Sequence, residues 1–164
     1  MSAAVRRTIG IDPGTARLGC AVIEKSGADL LLLTCAALVT SPKAPMHTRL
    51  AQLYDELTDI VRAHAPTEMA IEELFFAKNV TTAVAVGQAR GVALLVAAQA
   101  GLSVAEYKPM QIKQAVHGYG LASKEQVGEM VRVLLRLREI PRPDDAADAA
   151  AIAICHLNTL RMEA

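Results

Sequence analysis

The chain has 164 residues, 52% of them apolar, with 17 Lys plus Arg set against 17 Asp plus Glu. That length fits one domain with a sizeable core. The even charge balance excludes a strongly basic nucleic-acid module, so any such partner must be sought in how the charges are distributed. Cys20, Cys35 and Cys155 are scattered with no CxxC spacing. This excludes a disulfide framework or zinc site and fits buried, reduced thiols in the cytoplasm. Arg6 and Arg7 precede an apolar run, but Asp12-Pro13-Gly14 breaks it too early for a signal peptide. Gln88, Arg90 and Gln99 argue against a membrane span in Val80–Ala100.

Residues 5–12 form a β-prone run that ends in Asp12 and turns at once through Pro13-Gly14-Thr15. Side chains alternate along a strand, so Ile9 and Ile11 face one way while Thr8, Gly10 and Asp12 face the other. Asp12 thus stands at the end of a rigid element with glycines on both sides. Either an Asx turn or a ligand-facing carboxylate fits there. Residues 18–24 and 30–39 read as two more strands in a meander of hairpins.

Leu50, Leu53, Leu57, Ile60 and Val61 then make one stripe of a helix over residues 46–65, which Pro66 ends. A strand at 69–72 stops at Glu72. Because it follows a helix, it is expected to cross back into the sheet parallel to an earlier strand. Val80–Ala100 predicts a long helix, 103–107 a fifth strand and 109–116 a short helix. Ser123 with Gln126 three residues on is a capping-box start for a helix to about residue 137. An alanine-rich helix over 144–161 closes the chain. The order β-β-β-α-β-α-β-α-α-α predicts an α/β fold: a mixed five-stranded sheet with helices packed on it and no internal domain boundary.

Glu72 repeats the pattern of Asp12, an apolar strand stopping at an acid. In sheets with parallel strands, sites gather at the carboxyl ends of strands. Adjacent, parallel strands would bring Asp12 and Glu72 side by side, whereas alternation puts Glu73 on the opposite face. In Asp144-Asp145-Ala146-Ala147-Asp148, residues three apart share a helix face, which pairs Asp145 with Asp148. Asp144 fits a helix cap. Carboxylates clustered this way repel one another and call for cations. The hard, oxygen-seeking Mg²⁺ is suited to the role, and two such ions can drive phosphodiester hydrolysis.

The ordered set IGIDPGT, AIEELFFAKN, GQARGVALL, KPMQIKQAVHGYG and DDAADAAAIAICH resembles the RuvC-type Holliday junction resolvases from about Thr8 to His156. The resemblance implies one RNase H-like nuclease domain over residues 1–164 and a homodimer. It also implies two Mg²⁺ ions per site, with Mn²⁺ a substitute, and paired symmetric cutting of a four-way DNA junction in recombination and repair. The family's catalytic, metal-binding carboxylates fall on Asp12, Glu72, Asp145 and Asp148; some relatives carry histidine at the third. A branch-migration complex, RuvA/RuvB-like, is the implied partner, in the cytoplasm and away from any membrane.

Phe75 and Phe76 are the only phenylalanines and adjoin Ala77-Lys78-Asn79 just past Glu72. One can anchor the loop, or Phe75, which matches the family's stacking residue, can stack on an unpaired base at the branch point. Lys78, Lys113 and Lys124 are candidate DNA contacts, the last two matching positions the family uses against phosphate. In the Val80–Ala100 helix, Gly87 and Gly91 permit close helix approach, and the mostly apolar circumference suggests a second buried face at a two-fold contact. The four histidines have no metal-ligand spacing and read as structural or surface residues. Two rival readings remain: an ATP-dependent phosphotransferase of the actin and sugar-kinase type, and a junction-binding scaffold without catalysis. The first needs a second phosphate loop that the chain lacks; the second would be expected to have lost a carboxylate.

Overall fold

The computed structural model describes residues 5–74 and 79–162. Its strands are β1 (Arg6–Asp12), β2 (Arg17–Ser26), β3 (Asp29–Val39), β4 (Glu68–Glu72) and β5 (Ser103–Tyr107). The helices are α1 (Met46–His64), α2 (Val80–Ala100), α3 (Pro109–His117), α4 (Lys124–Leu134) and α5 (Asp144–Met162). They lie in the order read from the sequence. The sheet runs β3-β2-β1-β4-β5, with β1–β2–β3 an antiparallel meander and β4 parallel to both β1 and β5.

Alternation along the strands builds two cores. Ile9, Ile11, Met69 and Ile71 face α1 and α2, where they meet Leu53, Leu57, Ala93 and Val96. Ala21, Ile23 and Ala70 face the layer formed by α3, α4 and α5. Each fully buried Ile or Leu in these layers stabilises the fold by roughly 1.5–3 kcal/mol.

The second layer sits unusually close to the strands. A Cβ placed on Gly10 would stand 2.0 Å from the Ala149 carbonyl oxygen and 2.8 Å from the Ala153 nitrogen. One placed on Gly19 would stand 2.0 Å from the carbonyl oxygen of Asp145. The alanines of α5 and these two glycines therefore let helix backbone rest on strand backbone. That contact carries Asp145 and Asp148 to the ends of β1 and β2.

Two helix ends differ from expectation. α4 stops at Leu134 because Arg136 adopts a left-handed φ of 54°. Leu137 N–H then donates to Arg132 C=O at 2.9 Å and Arg136 N–H to Val133 C=O at 3.1 Å. This is a Schellman closure, normally built on glycine, so its sequence signal was absent. α5 begins at Asp144 itself, which lies in the first turn instead of capping it. Its carboxylate stands 3.7 Å from both Lys124 and Arg142.

The length and apolarity of α2 would suit a membrane span. It packs instead on α1 and the sheet, and its buried Arg90 pairs with Glu106 of β5 at 2.8 Å. Val80, Val84 and Leu95 remain exposed along one stripe, so only one of its expected two faces is covered within the chain. The three cysteines are free; Cys20 and Cys155 are buried, and Cys35 is half-buried, less than expected. Burial pushes their thiols up, to about 12 for Cys20 and about 11 for the other two. His156 is structural, bonded through Nδ1 to the Tyr107 hydroxyl at 2.7 Å and through Nε2 to Glu68 at 3.2 Å.

Candidate active site

Ile11 of β1 pairs with Ile71 of the parallel β4, so the next residues, Asp12 and Glu72, leave neighbouring strands side by side at their carboxyl ends. Both stand on the α5 side of the sheet, the face already occupied by Gly10 and Ala70. Asp12 lies opposite Gly19 in the β1–β2 ladder, and Gly19 is the residue on which the Asp145 carbonyl rests. Asp148 follows one turn later on α5. Three separate stretches of chain thus bring four carboxylates to one end of the sheet.

Burial and this proximity perturb the ionisation of Asp12, Glu72 and Asp148, because charges act on one another appreciably only at short range. The Asp12 carboxyl is pushed up from 3.8 to about 7, first by burial and then by Asp148, Asp145 and Glu72. Glu72 is raised by burial and by Asp148, against the pull of Lys113. Asp148 is raised by burial even though the Lys124 ammonium hydrogen-bonds it at 3.0 Å. Lys124 is raised in turn, chiefly by that bond. Arg17 Nη1 lies 3.9 Å from Asp145 Oδ2, a contact with no signature in the sequence.

Two cavities open on this cluster. One of about 230 Å³ is bounded by Glu72 and Asp148 together with Lys113 and Lys124. Both lysines expected to meet phosphate therefore stand beside the acids. The other, of about 510 Å³, lies between Asp12, Glu72 and the first half of α2, where Arg90 closes one wall. Glu73 also lines it, beside Leu74 and the residues of α2. Phe75 and Lys78 lie outside the described residues.

Among the described residues, no three His, Cys, Asp or Glu side chains stand close enough to enclose a metal ion. The donor set nevertheless fits a hard divalent cation. All four groups offer carboxylate oxygens, burial and then their mutual repulsion hold Asp12 partly protonated near neutrality, and among the described residues Lys124 supplies the opposing charge on Asp12. A cation of higher charge would relieve what the ammonium relieves in part.

The family model for crossover junction endodeoxyribonuclease RuvC matches residues 8–156. The chain belongs to the RuvC family. It is 59% identical over 150 residues to the enzyme of that name from Roseiflexus sp. (strain RS-1), covering 92% of this chain and 89% of that one. The Chloroflexus aggregans enzyme is 58% identical over 153 residues, 93% of each chain. Among solved structures, T. thermophilus RuvC in complex with a Holliday junction substrate superposes with a TM-score of 0.91 at 40% identity, covering 96% of both chains. The yeast mitochondrial Holliday junction resolvase Ydc2 shares the fold, with a TM-score of 0.66 at 12% identity over 96% of this chain and 82% of that one. The fold is accordingly RNase H-like, and the protein is a divalent-metal-dependent endodeoxyribonuclease that resolves four-way junctions in recombination and repair.

Proposed function

We propose that Asp12, Glu72, Asp145 and Asp148 together hold two Mg²⁺ ions, with Mn²⁺ able to replace them, and that the four residues constitute the catalytic centre. One observation carries this reading: Asp12, at the end of β1, is pushed up to about 7 by burial and three other carboxylates. An assembly that unfavourable to itself has its use in binding cations. Bound there, the ions supply Lewis-acid stabilisation of the scissile phosphate and of the leaving oxygen.

The chain's own groups do the rest. Lys113 and Lys124 hold phosphate oxygens beside the cut, and Lys124 leaves Asp148 for the phosphate when the substrate arrives. Asp12 would hold a cation as the carboxylate, its proton released to solvent. Phe75 stacks on an unpaired base at the branch point, and Lys78 adds a phosphate contact. The whole chain, residues 1–164, works as one nuclease domain.

Two copies pair through the exposed apolar stripe of α2, formed by Val80, Val84 and Leu95. Two sites related by a two-fold axis suit paired, symmetric cuts in a four-way junction. A branch-migration complex of the RuvA/RuvB kind delivers that junction, in the cytoplasm. The test is a synthetic four-way junction incubated with Mg²⁺, beside linear duplex and beside EDTA. Symmetric nicks on the junction alone, abolished by EDTA, are expected. Equal cutting of duplex, or cutting in EDTA, would overturn the reading.

A further inference from the structure

Beside the candidate centre lies an apolar patch that the carboxylates and lysines do not explain. Met110 on the first turn of α3 is 62% exposed, and Tyr119 and Leu121 in the α3–α4 loop are 54% and 69% exposed. Isolated exposed apolar side chains are ordinary, but contiguous ones are not. These are contiguous: a Cβ on Gly120 would stand 2.8 Å from Met110 Cγ, so the loop lies directly on the start of α3.

The loop is also firmly held. Gly118 N–H donates to Gln114 C=O at 2.9 Å, and the Gln114 side-chain amide returns a bond to Gly118 C=O at 3.0 Å. Ala122 N–H donates to Tyr119 C=O at 3.0 Å, and the Ala122 side chain is buried. Ser123 and Gln126 close the far end with a reciprocal capping box. A loop already ordered presents Tyr119 and Leu121 outward with little conformational entropy left to lose on binding.

Charge identifies the occupant. In a chain with no net charge, the stretch from Lys108 to Lys124 carries three lysines and no Asp or Glu. Met110 and Lys113 are three apart on α3 and share a face, and Lys113 lines the cavity that holds Glu72 and Asp148. Lys124, three residues past Leu121, lines the same cavity. The apolar patch is therefore bracketed by cations that open onto the cleavage centre. Duplex DNA would engage the lysines and leave the aromatic uncovered, whereas an unpaired nucleotide offers a phosphate to one and a base face or sugar to the other.

We propose that Met110, Tyr119 and Leu121 form a platform for an unpaired nucleotide of the cut strand, with Tyr119 stacking on its base. This rests on the reading of the carboxylate cluster as a junction-cleaving centre. The test places 2-aminopurine, one position at a time, along the cut strand of a four-way junction bound to Asp12→Asn protein. The same scan is run with Tyr119→Ala, Tyr119→Phe and Leu121→Ala added. At one or two positions beside the cut, fluorescence should be quenched, with the quench lost in Tyr119→Ala and kept in Tyr119→Phe.

Junction affinity should fall by about fivefold or more in Tyr119→Ala, as expected for loss of one base–aromatic stack. It should fall less in Leu121→Ala. Duplex affinity should not change. Identical quenching in Tyr119→Ala and its parent, or equal losses on junction and duplex, would overturn the platform. So would unaltered junction binding by both alanine variants, the result expected if the patch instead meets a protein. Failure of the unmutated chain to cut any junction would instead remove the underlying reading.

Discussion

Gly19→Ala tests whether the seating of α5 on the sheet sets the geometry of the centre. The added methyl would stand 2.0 Å from the Asp145 carbonyl oxygen, where real contacts stay beyond 3.0 Å, so the start of α5 must retreat by at least 1.0 Å. The obstacle is backbone, with no flexible side chain to turn aside. Overpacking of this kind costs about 1–3 kcal/mol of stability. A displacement near 1 Å at a catalytic group can cost on the order of 10²-fold in rate. Asp145 and Asp148 would both draw away from Asp12, the residue opposite Gly19 in the ladder. Single-turnover cleavage of a four-way junction, alongside urea unfolding followed by circular dichroism, separates the two effects. A folded variant cutting about a hundredfold more slowly is expected. A folded variant cutting within threefold of the parent would refute the seating argument.

Asp12→Asn should abolish cleavage while leaving junction binding largely intact, as read by gel shift; normal cutting would remove Asp12 from the centre. The same variant should stabilise the metal-free protein at pH 8. A carboxyl raised from 3.8 to about 7 on folding favours the folded state below pH 4 and progressively less as pH rises toward 7, beyond which the loss is complete. At roughly 1.4 kcal/mol per unit that loss is about 4 kcal/mol at most. Urea midpoints of the two proteins should therefore coincide near pH 4 and separate above pH 7. By the same linkage, Mg²⁺ binding at pH 7 should release about half a proton from Asp12 and almost none at pH 9. Calorimetry in buffers of different ionisation enthalpy reads this directly, and heats independent of buffer would contradict it. Arg90→Met removes a buried cation whose Nη1 has no hydrogen-bond partner among the described residues and frees a half-exposed Glu106. Its unfolding free energy should change by less than about 1 kcal/mol, because a lone buried ion pair adds little net stability. A loss above about 3 kcal/mol would show the pair to be a structural brace.

Asp12 and Glu72 were legible in the sequence because each closes an apolar strand, and parallel pairing of those strands followed from the intervening helix. Asp145 and Asp148 were legible through their three-residue spacing. How they reach the strand ends was not, since it depends on Gly10 and Gly19 meeting α5 across more than a hundred residues. Arg136 escaped for a different reason: it occupies a left-handed position that residue preferences assign to glycine. Arg17 gained its place only when the β1–β2 turn met the start of α5.

Because α5 touches β1 and β2 carbonyl to α-carbon, with no side-chain cushion between, the helix has one seat and no neighbouring one. Repacking elsewhere in the interior cannot nudge it, and no intermediate side-chain size at Gly10 or Gly19 offers a gradual path to a new position. Variation in which junctions are cut, and how fast, is therefore confined to what rims the strand ends. The floor beneath them behaves as a fixed datum.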